Sequence, residues 1–440
     1  GDAGDSNQLE KDILRAGWKL NYKRAVRHLA ANGPQAVKDI LIDRLSIPFV
    51  MHKECDEWEL RMEGGHEQHR ILHCADFTGK AIMDGLMAAV FDAPNIRILT
   101  ERTAVDLLTS HHHSASMDLK YQLANQCVGA YVFNDQSGEV ETILADYTVL
   151  ATGGLGQIFL HTTNSASSIG SALPMAYRAG ARLMNCEYIQ FHPTALFHRA
   201  ERRFLITEAM RGDGARLVNT HGDTFVRKYD PRGDLAPRDI VTRAIMEEML
   251  RTGADFVYLD AANFMDAPSG HLESHFPTIF KKCLDIGIDI RRDPIPVVPA
   301  AHYSCGGVLA DTSGRTSLER LYAIGECSCT GVHGANRLAS TSLLEGLLWG
   351  RQTAEDIRRR TAKRSSLSLK LRDSIPDWVS PGQADNEDPA LIAQDWAAIR
   401  NTMWNYVGIT RTRQRLARAV DDMRRLYKNL SDFYKRTPPS

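Results

Sequence analysis

Two short apolar runs, far apart in the chain and each ending in glycine, constrain this fold more than any other feature. Tyr147–Ala151 enters Thr152-Gly153-Gly154, and Leu321–Ile324 enters Gly325-Glu326. Short apolar runs closed by turn formers read as strands. A glycine pair after a parallel strand lets the backbone approach a ligand closely. At the second run, the strand delivers a carboxylate, Glu326, that can accept hydrogen bonds from sugar or polyol hydroxyls. Either run alone is weak, because glycine after a strand is usually a turn. A third segment adds to them: Ser340-Thr341-Ser342-Leu343-Leu344-Glu345-Gly346 reads as a helix start. Its free N–H groups and partial positive charge suit an anionic ligand. Together the three segments point to a bound dinucleotide. The G-x-G-x-x-G pattern of nicotinamide-binding folds is absent, however. The nearest stretch, Gly154-Leu155-Gly156-Gln157-Ile158-Phe159, has Phe where the third glycine belongs.

Between the two runs the chain changes character. Residues 181–301 mix short strands, helices and charged loops, and hold many His and Arg side chains, with a helix expected over Arg238–Arg251. Around this middle we expect helices over Leu9–Leu29, Lys80–Phe91 and Ser340–Arg360, and strands over Ile96–Leu99 and Thr103–Leu108. A hairpin is expected from Cys127–Phe133 and Val140–Leu144, joined by Asn134-Asp135-Gln136-Ser137-Gly138. A Pro/Ser/Asp linker, 374–389, precedes two amphipathic helices over 390–406 and 410–430. The length of 440 residues suggests two to three domains.

Composition excludes several classes. Lys plus Arg total 53 against 54 Asp plus Glu, a net charge of −1, so neither nucleic acid nor an anionic membrane is an expected partner. No apolar run reaches the ~18 residues of a membrane span, and the first residues do not resemble a secretory signal. The eight cysteines are scattered without a C-x-x-C pair, the pattern of reduced thiols in a cytosol-like compartment. Cys327 and Cys329 are poorly spaced for zinc, and His111-His112-His113 read as a solvated loop, so no metal site is expected.

The middle section carries the chemistry. In order come Phe191-His192-Pro193-Thr194-Ala195-Leu196, Thr207-Glu208-Ala209-Met210-Arg211-Gly212-Asp213-Gly214, Leu235-Ala236-Pro237-Arg238-Asp239, Pro299-Ala300-Ala301-His302-Tyr303 and His333-Gly334-Ala335-Asn336-Arg337. A substrate with two carboxylates needs several donors. Arginine supplies a planar fork that matches a carboxylate, and imidazole supplies a directed donor. Any one of these side chains alone would be read as solvated or salt-bridged; the constellation argues for a dicarboxylate site.

These blocks, with Ala301-His302-Tyr303-Ser304-Cys305-Gly306-Gly307 and His333-Gly334-Ala335-Asn336-Arg337-Leu338-Ala339-Ser340, resemble the succinate dehydrogenase/fumarate reductase flavoprotein superfamily, and within it the L-aspartate oxidase family. The resemblance runs from about Asp12 to Leu416 and includes Met403–Arg411, similar to that family's C-terminal helical domain. It implies an α/β + α architecture with three parts. A Rossmann-like FAD-binding domain over 1–180 and 302–360 would lack its first βαβ unit. An α+β capping domain would occupy 181–301, and a helical bundle 361–440.

The resemblance further implies FAD-dependent oxidation of L-aspartate to iminoaspartate, with reoxidation by dioxygen or fumarate, in NAD biosynthesis. The implied partners are small dicarboxylates and, functionally, quinolinate synthase; the implied setting is the cytoplasm, or the plastid in a plant. FAD would lie along Ala151, Thr152, Gly153, Gly154, Glu326, Asn336, Arg337, Ser340, Ser342 and Leu343. His192, His302 and Arg337 would hold the substrate carboxylates, with Thr207 and Glu208 nearby, and Arg238 would relay the proton. A guanidinium is a poor base unless its neighbours assist it. Glu63, in Glu63-Gly64-Gly65-His66, resembles the oxidase pattern, where a carboxylate attracts the substrate ammonium; a surface Glu in a Gly-rich turn is the plainer alternative. His66, His69 and His73 have no metal role in the family.

The sequence also departs from the family. The family opens with a strand, the G-x-G-x-x-G loop, a helix and an Ala-Gln-Gly-Gly segment, and the given residues begin after these. Gly170-Ser171-Ala172 stands where Gly-Asp-Gly is usual, Pro174 falls at a helix start, and Thr341 replaces an Asn. Two alternatives follow: a soluble fumarate reductase-type dicarboxylate oxidoreductase, or a flavin-free, non-catalytic short form.

Overall fold

The His- and Arg-rich middle folds around a four-stranded antiparallel sheet in the order Ile189–Leu196, Ile295–Ser304, Val257–Asp260, Arg216–Val218. The computed structural model describes residues 3–52, 55, 57–75, 77–198, 203–266, 268, 270–363, 366–382 and 388–437. Ile295–Ser304 is an inner strand, yet it contains Pro296 and Pro299. Proline cannot donate to a ladder, and the pairing with Ile189–Leu196 slips twice, between Val298 and Ala300 and between Ala301 and Tyr303. At the second slip His302 is the extra residue. Such a bulge bends the strand and re-aims one side chain. Leu196, Leu217, Leu259, Val297 and Ile245 form the core behind this sheet, all with no measurable exposure. The Arg238–Thr252 helix packs into it through Val241, Ala244 and Ile245, as its spacing predicts.

The two glycine-edged runs become a parallel pair, with Leu321, Tyr322 and Ala323 opposite Thr148, Val149 and Leu150. The expected hairpin forms from Cys127–Asn134 and Glu139–Leu144, with Arg102–Thr109 added on its other side. Helices Thr78–Phe91 and Thr341–Thr361 lie close to their expected bounds. Pro174 is the third residue of the Ala172–Arg178 helix, in the first turn, where its missing N–H costs no intrahelical bond. The terminal helices Pro389–Val407 and Arg413–Tyr434 pack on each other. Trp404 joins Phe159 and Phe191 in one cluster. Part of the expected 374–389 linker, 383–387, lies outside the described residues. Among the described residues no helix is long and apolar enough to cross a membrane.

Two expectations fail. Leu9–Leu29 is not one helix but two, Ala3–Ala16 and Lys23–Ala36, split by a turn in which Trp18 and Lys19 take φ of 57° and 60°. Tertiary contacts pull the turn out of the helix. Asn21 Nδ2 donates to Ile13 O at 3.2 Å and to Val332 O at 2.7 Å, and Tyr22 N donates to Gly331 O at 2.7 Å. Ile96–Leu99 is in no strand, and Ile96, Ile98 and Leu99 are exposed.

Candidate active site

The bulged strand and its neighbour bring two imidazoles together. The rings of His192 and His302 are 5.4 Å apart, nearly edge to face. Each ring is fixed from behind. Thr194 N donates to His192 Nδ1 at 3.2 Å, and Thr163 Oγ1 lies 2.8 Å from His302 Nδ1. Asn164 Nδ2 holds the His302 carbonyl at 3.0 Å. Burial pushes the pKa of both imidazoles well below the ordinary value, and nearby guanidinium groups push the same way: Arg238 and Arg211 for His192, Arg337 and Arg238 for His302. Both rings are therefore neutral, each with one N–H to donate.

Arg238 opens its helix and reaches Glu208, with Nε to Oε2 at 2.6 Å. Buried Arg211 lies 3.7 Å from the other Glu208 oxygen. Burial would raise the Glu208 pKa, but Arg238 and Arg211 outweigh it and hold the carboxylate charged. Thr207 accepts from Ala209 N at 3.4 Å, and among the described residues no hydrogen bond joins it to the basic cluster.

The Glu63 turn closes over this cluster. An added Cβ on Gly64 would meet Glu208 Oε1 at 2.7 Å, so any side chain there would push the carboxylate aside. Ser340 Oγ donates to Glu63 Oε2 at 2.6 Å, and His66 Nε2 lies 3.0 Å from Ala339 O. His66 thus anchors the turn. His69 bonds the Leu60 carbonyl through Nδ1 at 3.2 Å, and His73 lies 3.4 Å from Glu59; these three histidines share no ligand point.

Arg337 is buried over the Tyr303 ring at 4.9 Å and donates to Ser342 Oγ at 3.2 Å. Gln190 Nε2 fixes its backbone, donating to Arg337 O at 2.8 Å and to Asn336 Oδ1 at 2.6 Å. Beneath it lies a buried network. Glu345 accepts from Tyr303 OH at 3.0 Å, from His333 Nε2 at 2.9 Å and from Thr330. Burial would raise the Glu345 pKa, but His333 and the two hydroxyls hold it low. The sequence reading did not assign roles to Gln190, Thr163, Asn164, Arg211, Tyr303 or Glu345. Arg211, Tyr303 and Glu345 lie within the motif blocks, whereas Thr163 and Asn164 carry no motif.

On the dinucleotide side, Ser304 N donates to Glu326 Oε1 at 2.9 Å. That carboxylate lies against Gly154, where a Cβ would come within 2.1 Å of it. Burial raises the Glu326 pKa to about 7. Ile324 N donates to Leu150 O at 3.0 Å, so Ala151–Gly154 and Glu326 form one rim. These groups fit FAD. Buried Arg337 Nε has no protein partner, and a Cβ added to Gly153 would meet only Ser168 Oγ, at 3.6 Å. The helix starting at Thr341 has no side-chain cap, because Ser340 turns to Glu63; Thr341 N donates to Leu338 O at 3.4 Å, and the N–H groups that follow in the first turn remain available for an anion. Leu343 is exposed on that first turn and Ser342 half-buried.

Known proteins resemble this chain over most of its length. The family model described as FAD binding domain matches residues 2–343. L-aspartate oxidase of Pseudomonas aeruginosa is 44% identical over 430 residues, 96% of this chain and 77% of that protein. The chloroplastic L-aspartate oxidase of Arabidopsis thaliana is 38% identical over 427 residues, 93% of this chain and 63% of that protein. Among solved structures, quinol fumarate reductase FrdA of E. coli superposes with a TM-score of 0.83 at 26% identity, covering 99% of this chain and 74% of that one.

Proposed function

The chain belongs to the L-aspartate oxidase family, and on that premise we propose that it oxidises L-aspartate to iminoaspartate with FAD, in the synthesis of NAD. The observation that carries this reading is the largely buried cluster of His192, His302, Arg238 and Arg337 with the Glu63 turn folded over it. Neutral His192 and His302 donate to the substrate carboxylates, and Arg337 supplies the matching positive charge. Arg238 faces the reacting carbons. Its partner Glu208, held as a carboxylate 2.6 Å away, is the group that takes a proton relayed through the guanidinium. Thr207 braces the turn that presents Glu208. Glu63 meets the substrate ammonium, which fumarate and succinate lack. Ala151, Thr152, Gly153, Gly154, Glu326, Asn336, Arg337, Ser340, Ser342 and Leu343 hold the cofactor. FAD supplies the two-electron acceptor when bound, and dioxygen, giving peroxide, or fumarate takes the electrons onward.

Residues 1–180 with 302–360 form the cofactor section in this proposal, 181–301 the cap and 361–440 the helical section. The product passes to quinolinate synthase. The setting is cytoplasmic, or the plastid in a plant; relatives from Nicotiana tabacum and Arabidopsis thaliana are named chloroplastic.

The test is Glu63→Gln. Loss of a charge-assisted contact should lower kcat/KM for aspartate about tenfold more than for fumarate reduction. Equal loss on both substrates would sink the ammonium role and favour the fumarate reductase-type reading. A folded chain that remains colourless after FAD is added would favour the flavin-free reading instead.

A further inference from the structure

We propose that Asp213, His271 and His275 form a binding site for one divalent transition-metal ion of the zinc class, separate from the dicarboxylate and flavin residues. Asp213 follows the short Ala209–Gly212 helix as its C-cap. His271 and His275 stand four apart on the His271–His275 helix, so both rings leave one face. The rings are stacked, with centroids 4.9 Å apart and planes 16° apart. Both Nε2 atoms point at the same oxygen, Asp213 Oδ2, at 3.2 and 3.6 Å. All three ligand atoms lie within 4.8 Å of one another.

These separations match a metal as well as an ion pair. A tetrahedral ion with bonds of ~2.0–2.2 Å keeps its ligand atoms roughly 3.3–3.6 Å apart. The two His-to-Asp gaps already fall near that range, and rotation of the stacked rings about their side-chain bonds would aim both lone pairs at one ion. Two imidazole nitrogens and one carboxylate oxygen suit zinc and its neighbours better than magnesium or calcium. The fourth position is left to water, and the partial exposure of all three side chains gives an entry path.

The site is braced. Phe276 is buried in the middle core, and its ring meets His275 at 4.8 Å and His271 at 6.3 Å, both edge on. His271 N donates to Pro268 O at 3.1 Å. Glu273, on the same helix, pairs with Arg291 at 3.2 Å and leaves the trio as it is. Glu208 is the N-cap of the helix that Asp213 closes. An ion would therefore tie the histidine helix to the turn that grips Arg238.

The experiment is a titration of the full, FAD-loaded, chelator-stripped chain with Co2+ alone and then Zn2+ alone. We expect one Co2+ per chain with the intense visible absorption of tetrahedral cobalt, displaced by Zn2+. His271→Ala with His275→Ala should weaken uptake at least about a hundredfold, and Asp213→Asn about tenfold, with flavin content unchanged. The single Asp213 variant serves if the double variant fails to fold. Absence of stoichiometric uptake by the unaltered chain would overturn the proposal. So would equal uptake by the variants, which would place the ion on thiols or on His111–His113.

Discussion

In the middle section a four-stranded sheet backs the basic cluster, and burial keeps its imidazoles, buried His192 and half-buried His302, neutral. The dinucleotide side has only a parallel pair, Thr148–Leu150 with Leu321–Ala323, in which Val149 is 39% exposed. The Thr78–Phe91 helix, packed near Ile47 and Cys74, fully buries none of its side chains and exposes Met83 and Phe91. Burial and neighbouring guanidinium groups set the electrostatics of the basic cluster, whereas the two-stranded side presents glycine-lined backbone at Gly153 and Gly154.

The strongest way to break this contrast is Arg238→Ala. Removing a preorganised charge from a dry cluster should cost about 10²–10³ in kcat, roughly 3–4 kcal/mol, read as aspartate-dependent turnover at saturating FAD. Retention of more than about a tenth of the rate would show that the guanidinium is not at the reacting carbons.

Acid tests the dryness of the same side. Burial and Arg203 push the His161 pKa to about 4, and His192 and His302 are also held well below the ordinary value. In the unfolded chain each would protonate near pH ~6.5, while the folded state resists until lower pH. Stability is therefore fully present above that pH and is lost as the pH falls toward about 4. The slope is up to ~1.4 kcal/mol per histidine for each pH unit. Urea midpoints at about pH 7.5, 6 and 5 would read this loss, and a flat series would mean that water reaches the rings.

The smallest effect belongs to the dinucleotide side. In Gly154→Ala the new methyl would displace Glu326 from Ser304 N. FAD affinity should fall about tenfold, ~1.4 kcal/mol, in a flavin fluorescence titration, with KM for aspartate unchanged once FAD saturates. Unchanged affinity would remove Glu326 from the cofactor rim.

How much of this was legible depended on the range of the signal. The hairpin at 127–144 and the Arg238–Thr252 helix follow from alternation, turn residues and helical spacing, which act over a few residues. The break at 17–22 was not legible, because the groups that unwind it, Gly331 and Val332, lie some three hundred residues away. His192, His302, Arg238 and Arg337 could be named because the cluster is built from recognisable blocks. The groups that orient them could not, since Thr163 reaches His302 from another segment and Glu345 reaches Tyr303 from across the helix start.

By itself the sequence determined the family, the cofactor class and the donors that a dicarboxylate requires, because these are properties of residue type and order. The tertiary structure decided which donors are neutral, which carboxylate stays charged beside Arg238, and that Asp213 faces two histidines 58 and 62 positions along the chain. Those outcomes depend on burial and on distances of a few ångströms between segments, and a linear order of residues carries neither.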